Sequence, residues 1–137
     1  MNLQDAFELL STISDKLVED KNFLNALEVD SKENIELLSK KVNLQELNMA
    51  FFEPKNMPLV SIYIPDADVT NNYLVNRALL RIETFTSSRV KARKLIQEIR
   101  KIMKTQFKLY TVAEGQQPCD IKNVYKYRLE YLSMIFS

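Results

Sequence analysis

The chain of 137 residues contains no histidine and no tryptophan, and it has a single glycine and a single cysteine. Without histidine there is no imidazole to act as a general base or as a neutral metal ligand, so a Ser-His-Asp arrangement and a histidine-bearing zinc site are excluded. Because Gly115 is the only glycine, no glycine-rich phosphate-binding loop can form. Cys119 alone excludes an intramolecular disulfide and a multi-thiolate metal site. These absences predict a protein that is not an enzyme and has no catalytic residues, metal site or cofactor.

Long apolar runs are also missing. No run approaches the roughly 20 residues that a membrane span needs, and residues 1–8 show no basic stretch followed by an apolar core. At 46% hydrophobic and 27% charged residues, the composition is that of an ordinary folded domain. We therefore expect a single domain over residues 1–137 that has no membrane partner. We also expect it to stay in the cytosol unless it leaves as part of an assembly.

The charge is unevenly distributed along the chain. Residues 1–53 hold 5 Lys against 11 Asp and Glu, a net charge of −6, whereas residues 54–137 hold 14 Lys and Arg against 7 Asp and Glu, a net charge of +7. Two interpretations stay open: the halves attract each other within one chain, or the front of one copy meets the back of another.

The first 53 residues are predicted to be mainly helical. Apolar residues recur at helical spacing from Met1 to Asp20, which predicts an amphipathic helix. The Asp-Ser-Lys-Glu segment at 30–33 is typical of a helix start, with Asp30 or Ser31 as the N-cap. The other segments are predicted as a short helical stretch at 23–27 and as either helix or strand at 44–52.

The remainder, residues 54–137, is predicted to be a sheet with one covering helix. The Ser87-Ser88 pair is expected to supply the N-cap of an amphipathic helix from Arg89 to Phe107, and Gly115–Asp120 is expected to form a turn region. Four segments are typical of strands: Leu59–Ile64, Arg77–Thr86, Lys108–Val112 and Val124–Phe136. The sequence therefore predicts an α+β fold with a mainly antiparallel sheet packed against amphipathic helices. The last segment is long enough to extend past its own sheet and pair with another subunit.

Two groups of side chains could form a binding surface. The helix carries Arg and Lys at seven positions between Arg89 and Lys104, a face that could contact phosphates, an acidic patch of a neighbouring protein, or only water. Tyr125, Tyr127 and Tyr131 alternate along the last strand, as expected for core or interface packing and, less often, for stacking on nucleic-acid bases.

The order of these elements resembles a known family. A proline-flanked strand is followed by Arg81-Ile-Glu-Thr-Phe-Thr-Ser-Ser88, which leads into a helix with Ala92, Ile96 and Ile99. The final strand then contains Tyr-Lys-Tyr-Arg-Leu-Glu-Tyr at residues 125–131. Over residues 58–136 this arrangement resembles the tail terminator or tail-completion proteins of tailed bacteriophages and related prophage tails.

The resemblance implies a structural virion protein at the head–tail junction, assembled in the host cytoplasm. It implies a ring, commonly a homohexamer, that caps the tail tube, ends tube polymerisation and presents a surface for the head connector or neck protein. Its partners would be copies of itself, the tail-tube protein and the connector, and DNA would only pass through the ring lumen. The alternatives are a neighbouring neck or head-closure protein and a nucleic-acid-binding module that uses helix 89–104.

An interface residue in such an assembly should be charged and lie on an exposed face. On the wetter strand faces and the basic helix, the sequence predicts this set: Arg81, Glu83, Arg93, Arg100, Lys101, Lys126, Arg128 and Glu130.

Overall fold

A computed structural model of the chain describes residues 3–65 and 77–134. The helices are α1 (Leu3–Val18), α2 (Lys21–Ala26), α3 (Ile35–Lys41) and α4 (Arg89–Phe107). The strands are β1 (Val42–Leu44), β2 (Leu59–Tyr63), β3 (Arg77–Thr86), β4 (Thr111–Gln117) and β5 (Tyr125–Met134). Single 3-10 turns lie between β1 and β2, at Met49–Phe51 and Pro54–Asn56. The segment 66–72, whose composition predicts a loop, lies outside the described residues, as do residues 135 and 136 of the predicted last strand.

The strands form one five-stranded sheet in the order β1-β2-β3-β5-β4. Neighbouring strands are antiparallel except for β1 and β2, which are parallel. The predicted α+β fold with a mainly antiparallel sheet is confirmed. The parallel pair brings the end of the helical region into the sheet, because α3 continues directly into β1.

The two faces of the sheet are covered by different parts of the chain. The helices pack on the first face, where Ile62, Ile82 and Leu129 are fully buried together with the apolar side of α4. The second face is covered in part by the segment between β1 and β2. There, Phe52 meets Phe85 edge-to-face, with 4.6 Å between the ring centroids. A line of charged side chains occupies the rest of the second face, beside this smaller apolar cluster.

Helix α4 begins and ends where its sequence provides caps. Of the two serines predicted to supply the cap, Ser88 does so: its hydroxyl accepts a hydrogen bond from the Lys91 backbone N–H. At the other end Lys108 adopts a left-handed conformation with φ 55°, and the Leu109 N–H donates to the Met103 carbonyl. Six residues along the helix are buried, which confirms the predicted apolar stripe: Ala92, Leu95, Ile96, Ile99, Ile102 and Met103.

The prediction for the strand after α4 was wrong in its bounds. Residues 108–110 complete the end of the helix instead of entering the sheet, so β4 starts only at Thr111. It then runs through Gly115, which pairs with Arg128 on β5. The predicted turn at 115–120 is therefore displaced, and the connection lies at residues 118–124.

The predicted start of α3 was also wrong. Ser31 accepts from the Glu33 N–H, which closes a local turn before the helix begins. The cap is Asn34, whose side-chain oxygen accepts from the Leu37 N–H at 3.3 Å. A short polar side chain can serve either role, and the turn at 31–33 moves the helix start to Ile35.

Strand β5 pairs with β3 along its whole described length, from Tyr125 opposite Thr86 to Met134 opposite Arg77. On its other side β5 pairs with β4 only from Lys126 to Tyr131, so residues 132–134 extend beyond β4. Pairing of this strand with another subunit stays a prediction.

The cap of α3 can be tested by comparing two alanine variants. Asn34→Ala should lower the free energy of unfolding by about 1 kcal/mol, because the Leu37 N–H loses its acceptor. Asp30→Ala, at one of the two positions predicted for the cap, should change it by less than about 0.5 kcal/mol. Urea denaturation of both variants measures the difference. A larger loss for Asp30→Ala would contradict this assignment.

Candidate functional site

Five of the eight predicted interface residues form a charged ladder on the second face of the sheet. Strands β3 and β5 pair so that Arg81 lies opposite Glu130 and Glu83 lies opposite Arg128. The Arg128 Nε donates to Glu83 at 2.7 Å, and the Arg81 Nε donates to Glu130 at 3.2 Å. Each positive charge has its partner within the same chain, so the first role of these side chains is to join the two strands.

Glu83 is the centre of this charged ladder. It is only 4% exposed, and its carboxylate also lies 3.6 Å from the Lys126 Nζ. The Lys126 ammonium in turn lies 5.6 Å from the centroid of the Phe85 ring, a cation–π distance. Burial of Tyr63 at the edge of the ladder, together with the nearby charge of Glu83, raises the pKa of its hydroxyl.

The other three predicted interface residues lie on α4, and the structure separates them. Arg100 binds Glu114 of β4 through two nitrogens, Nε at 3.3 Å and the closer Nη2. Arg93 lies on the side of the helix that faces the start of β5. Lys101 is exposed and does not line that side.

A groove of about 310 Å³ lies between α4 and the first half of β5. Helix positions 89, 93, 96 and 100 follow one another at intervals of three and four residues, so they share one helix face. The strand contributes two tyrosines at alternate positions of the same sheet face. Six residues line the groove: Arg89, Arg93, Ile96, Arg100, Tyr125 and Tyr127. The structure thus brings together the basic helix and two of the three tyrosines that the sequence analysis had considered separately.

The third tyrosine has a different environment. Tyr131 is fully buried in the core under the helices, and burial raises the pKa of its hydroxyl. Tyr125 and Tyr127 are half-buried: they pack against the same core and also line the groove. Packing, the predicted role of these rings, is confirmed for all three, and only the two in the groove remain accessible to a ligand.

Glu114 fixes one end of the groove. Its carboxylate accepts hydrogen bonds from Arg100 and, at 2.8 Å, from the Tyr127 hydroxyl. Burial acts to raise the pKa of this carboxyl, but the hydrogen bonds from Arg100 and Tyr127 outweigh it and hold the pKa below its usual value. One arginine of the groove is therefore neutralised, whereas Arg89 and Arg93 form no ion pair with any residue that the structure describes.

Strand β4 provides a second surface, which the sequence analysis missed. It pairs only with β5 among the described strands, so its other edge is open. Two apolar side chains near its start are exposed, Tyr110 at 66% and Val112 at 61%. Residues 113–117 of the strand were not predicted because this segment is polar and contains Gly115, features that favour a turn over a strand.

Comparison with known proteins returned no match: no protein-family model, curated protein or solved structure matches the chain. None of the helices in residues 3–65 and 77–134 has the length and apolar character needed to cross a membrane. In the same described ranges, no group of three or more acidic, cysteine or histidine side chains is placed to hold a metal ion.

The charged ladder should contribute to stability through Glu83. Replacing Glu83 with Gln leaves Arg128 and Lys126 without their shared carboxylate, and these side chains are only about a fifth exposed. We expect a loss of about 2 kcal/mol in the free energy of unfolding, below the roughly 3–5 kcal/mol typical of fully buried pairs. Glu53→Gln, which disrupts an exposed pair with Lys55, serves as the control and should cost less than about 1 kcal/mol. Equal losses in urea denaturation would contradict a structural role for the ladder.

Proposed function

We propose that this protein is a structural subunit of the head–tail junction of a tailed bacteriophage or a related prophage tail. In this role a ring of subunits caps the tail tube, ends its polymerisation and offers a surface to the head connector. The observation that carries the proposal is the open edge of β4, an assembly surface that the isolated chain leaves uncovered among its described residues.

The two edges of the sheet differ in a way that supports this proposal. At one edge, β1 is only three residues long. Its Asn43 side chain accepts a hydrogen bond from the Asn48 N–H and donates one to the Lys40 carbonyl. At the other edge, β4 has seven residues and two exposed apolar side chains near its start. A long open strand edge readily pairs with another chain, whereas a very short edge strand is a poor template for such pairing.

Such a contact joins two different surfaces, as a closed ring requires. A heterologous interface repeats around a rotation axis and closes when the angle allows it, while a self-complementary interface gives only dimers. Pairing of the β4 edge of one copy with the same edge of a second copy would be self-complementary and would stop at a dimer. A ring therefore needs β4 to contact a different surface of the neighbouring subunit.

The charge distribution supports complementary surfaces of this kind. Within the described residues, the acidic region 1–53 forms two ion pairs with the basic remainder, Glu28 with Lys91 at 3.2 Å and Glu53 with Lys55 at 3.3 Å. Most of the opposite charge in the two regions is thus not paired within the described chain. It remains available to attract the front of one subunit to the back of the next.

The order of elements that carried the family resemblance also supports the proposal. A strand after Pro58, a long strand, helix α4 and a final long strand follow one another as the resemblance requires. Strand β4 lies between α4 and the final strand, and its bounds differ from the predicted ones without changing this order.

The assembly surface can be tested with two valine variants. Val112→Lys places a charge at the open edge and removes apolar surface worth about 1.5–3 kcal/mol when buried, so self-association should weaken at least about tenfold. Val90→Lys makes the same change at a valine of α4 that is 68% exposed and should leave association unchanged. Analytical ultracentrifugation of each variant, alone and with tail-tube protein at low salt, measures its self-association.

Two results would count against the ring. A wild-type protein that stays monomeric at high concentration, even with tail-tube protein, would overturn it. Equal weakening by both valine variants would place the contact away from β4.

The role itself is tested in particles that lack this protein. If the subunit ends tube polymerisation, electron microscopy should show overlong tails without heads. Tails of normal length that lack heads would instead indicate a neck or head-closure role. Normal virions would refute a place at the head–tail junction.

A further inference from the structure

We propose that the groove between α4 and β5 binds single-stranded nucleic acid, with phosphate groups at Arg89 and Arg93 and bases against both Tyr125 and Tyr127. This inference is independent of the proposed ring, because the groove is complete within one chain.

Two arginines of the groove carry positive charge that no described side chain neutralises. Arg100 is neutralised by Glu114, but Arg89 and Arg93 have no acidic partner in residues 3–65 and 77–134. They lie one helical turn apart on the same face, where side chains four residues apart are about 5–6 Å from each other at Cβ. Two planar guanidinium groups at this spacing can hold one phosphate between them or two successive phosphates along a strand.

Two aromatic rings lie beside these charges. Tyr125 and Tyr127 pack against the core and also line the groove, so each ring is held in place before a ligand arrives. Bases stack on such rings regardless of sequence, because every base has an aromatic face. A groove that combines guanidinium groups for the backbone with rings for the bases is the arrangement by which proteins bind single strands.

The shape of the site favours a single strand over a duplex. The groove is a recess of about 310 Å³, at the lower end of ligand-pocket volumes and suited to a group of nucleotide size. In a double helix the bases are stacked on each other, so their faces cannot reach a recessed ring. An acidic peptide would satisfy the arginines, but it would leave the two tyrosine rings without a stacking partner.

Glu114 holds one end of the groove in place. Glu114 accepts from both Arg100 and Tyr127, so it holds the ring of one lining tyrosine and the guanidinium beside it. Among the described residues, Glu114 is the acidic side chain that bonds to residues lining the groove, and Arg100 neutralises its charge. The net charge left to a ligand is that of Arg89 and Arg93.

The test compares two double variants of the full-length protein. Arg89→Gln with Arg93→Gln removes two charges from the groove, and Lys101→Gln with Lys104→Gln removes two exposed charges elsewhere on the same helix. Fluorescence anisotropy with a labelled oligothymidine, over a series of salt concentrations, measures affinity. We expect the groove variant to bind at least about tenfold more weakly and to show a shallower salt dependence, by about 0.7 in slope for each phosphate that is no longer neutralised. The lysine variant should bind less than about threefold more weakly.

A stacking readout separates base contact from charge alone. Tyr125→Leu keeps an apolar side chain against the core but removes the ring, so binding should weaken roughly 5-fold to 150-fold without a change in salt slope. Displacement of the labelled oligothymidine is then measured with two competitors: the duplex that oligothymidine forms with its complementary strand, and poly-glutamate.

Four results would overturn the proposal. These are no binding of oligothymidine at low salt, equal weakening in the arginine and lysine variants, an unchanged affinity of Tyr125→Leu, or displacement by poly-glutamate at concentrations equal to or below those of unlabelled oligothymidine. The last result would assign the groove to an acidic protein partner. None of them bears on the oligomeric state, which is measured separately with the valine variants.

Discussion

The register between β3 and β5 is the constraint on which the rest of the structure depends, and paired charges select it. Arg81 lies opposite Glu130 and Glu83 lies opposite Arg128. A shift of two residues keeps every side chain on its own face, so the apolar core alone does not forbid it. In one direction such a shift places Arg81 opposite Arg128, and in the other it places Glu83 opposite Glu130. Like charges directly opposite each other are destabilising, and here they would be partly buried.

Both candidate surfaces follow from this register. Because Thr86 pairs with Tyr125, the first residue of β5 lies beside the Ser88 cap and the start of α4, and the groove forms between them. Strand β5 also carries β4 on its other side, so the position of the open edge is set by the same pairing. Arg100 and Glu114 then connect the helix to that edge strand. The charged ladder on one face of the sheet thus determines which groups meet on the opposite face.

The sequence predicted the elements whose signal is local. Alternation along β3 and β5, the helical stripe of α4 and its Ser88 cap gave nearly the right bounds, because period and capping are properties of adjacent residues. Two local signals misled. At α3, Asp30 and Asn34 are equivalent as caps in sequence, and only the turn at Ser31 decides between them. At β4, Gly115 and polar neighbours favour a turn, and pairing with β5 overrides that preference.

Long-range pairing also explains why the binding surfaces could not be predicted from the charged residues of the sequence. Five of the eight residues chosen for their charge are strand residues with partners in the same chain. A charge so paired is less available to another molecule, since breaking the pair would leave a half-buried ion. The groups with unmet capacity are of other kinds: the guanidinium groups of Arg89 and Arg93, which face aromatic rings, and the backbone of β4, whose outer edge has no described strand beside it. Sequence indicates which residues carry charge, but only the fold shows which of those charges are already neutralised. For this chain, that difference moves the candidate binding surfaces from the sheet face to its edge and to the groove beside α4.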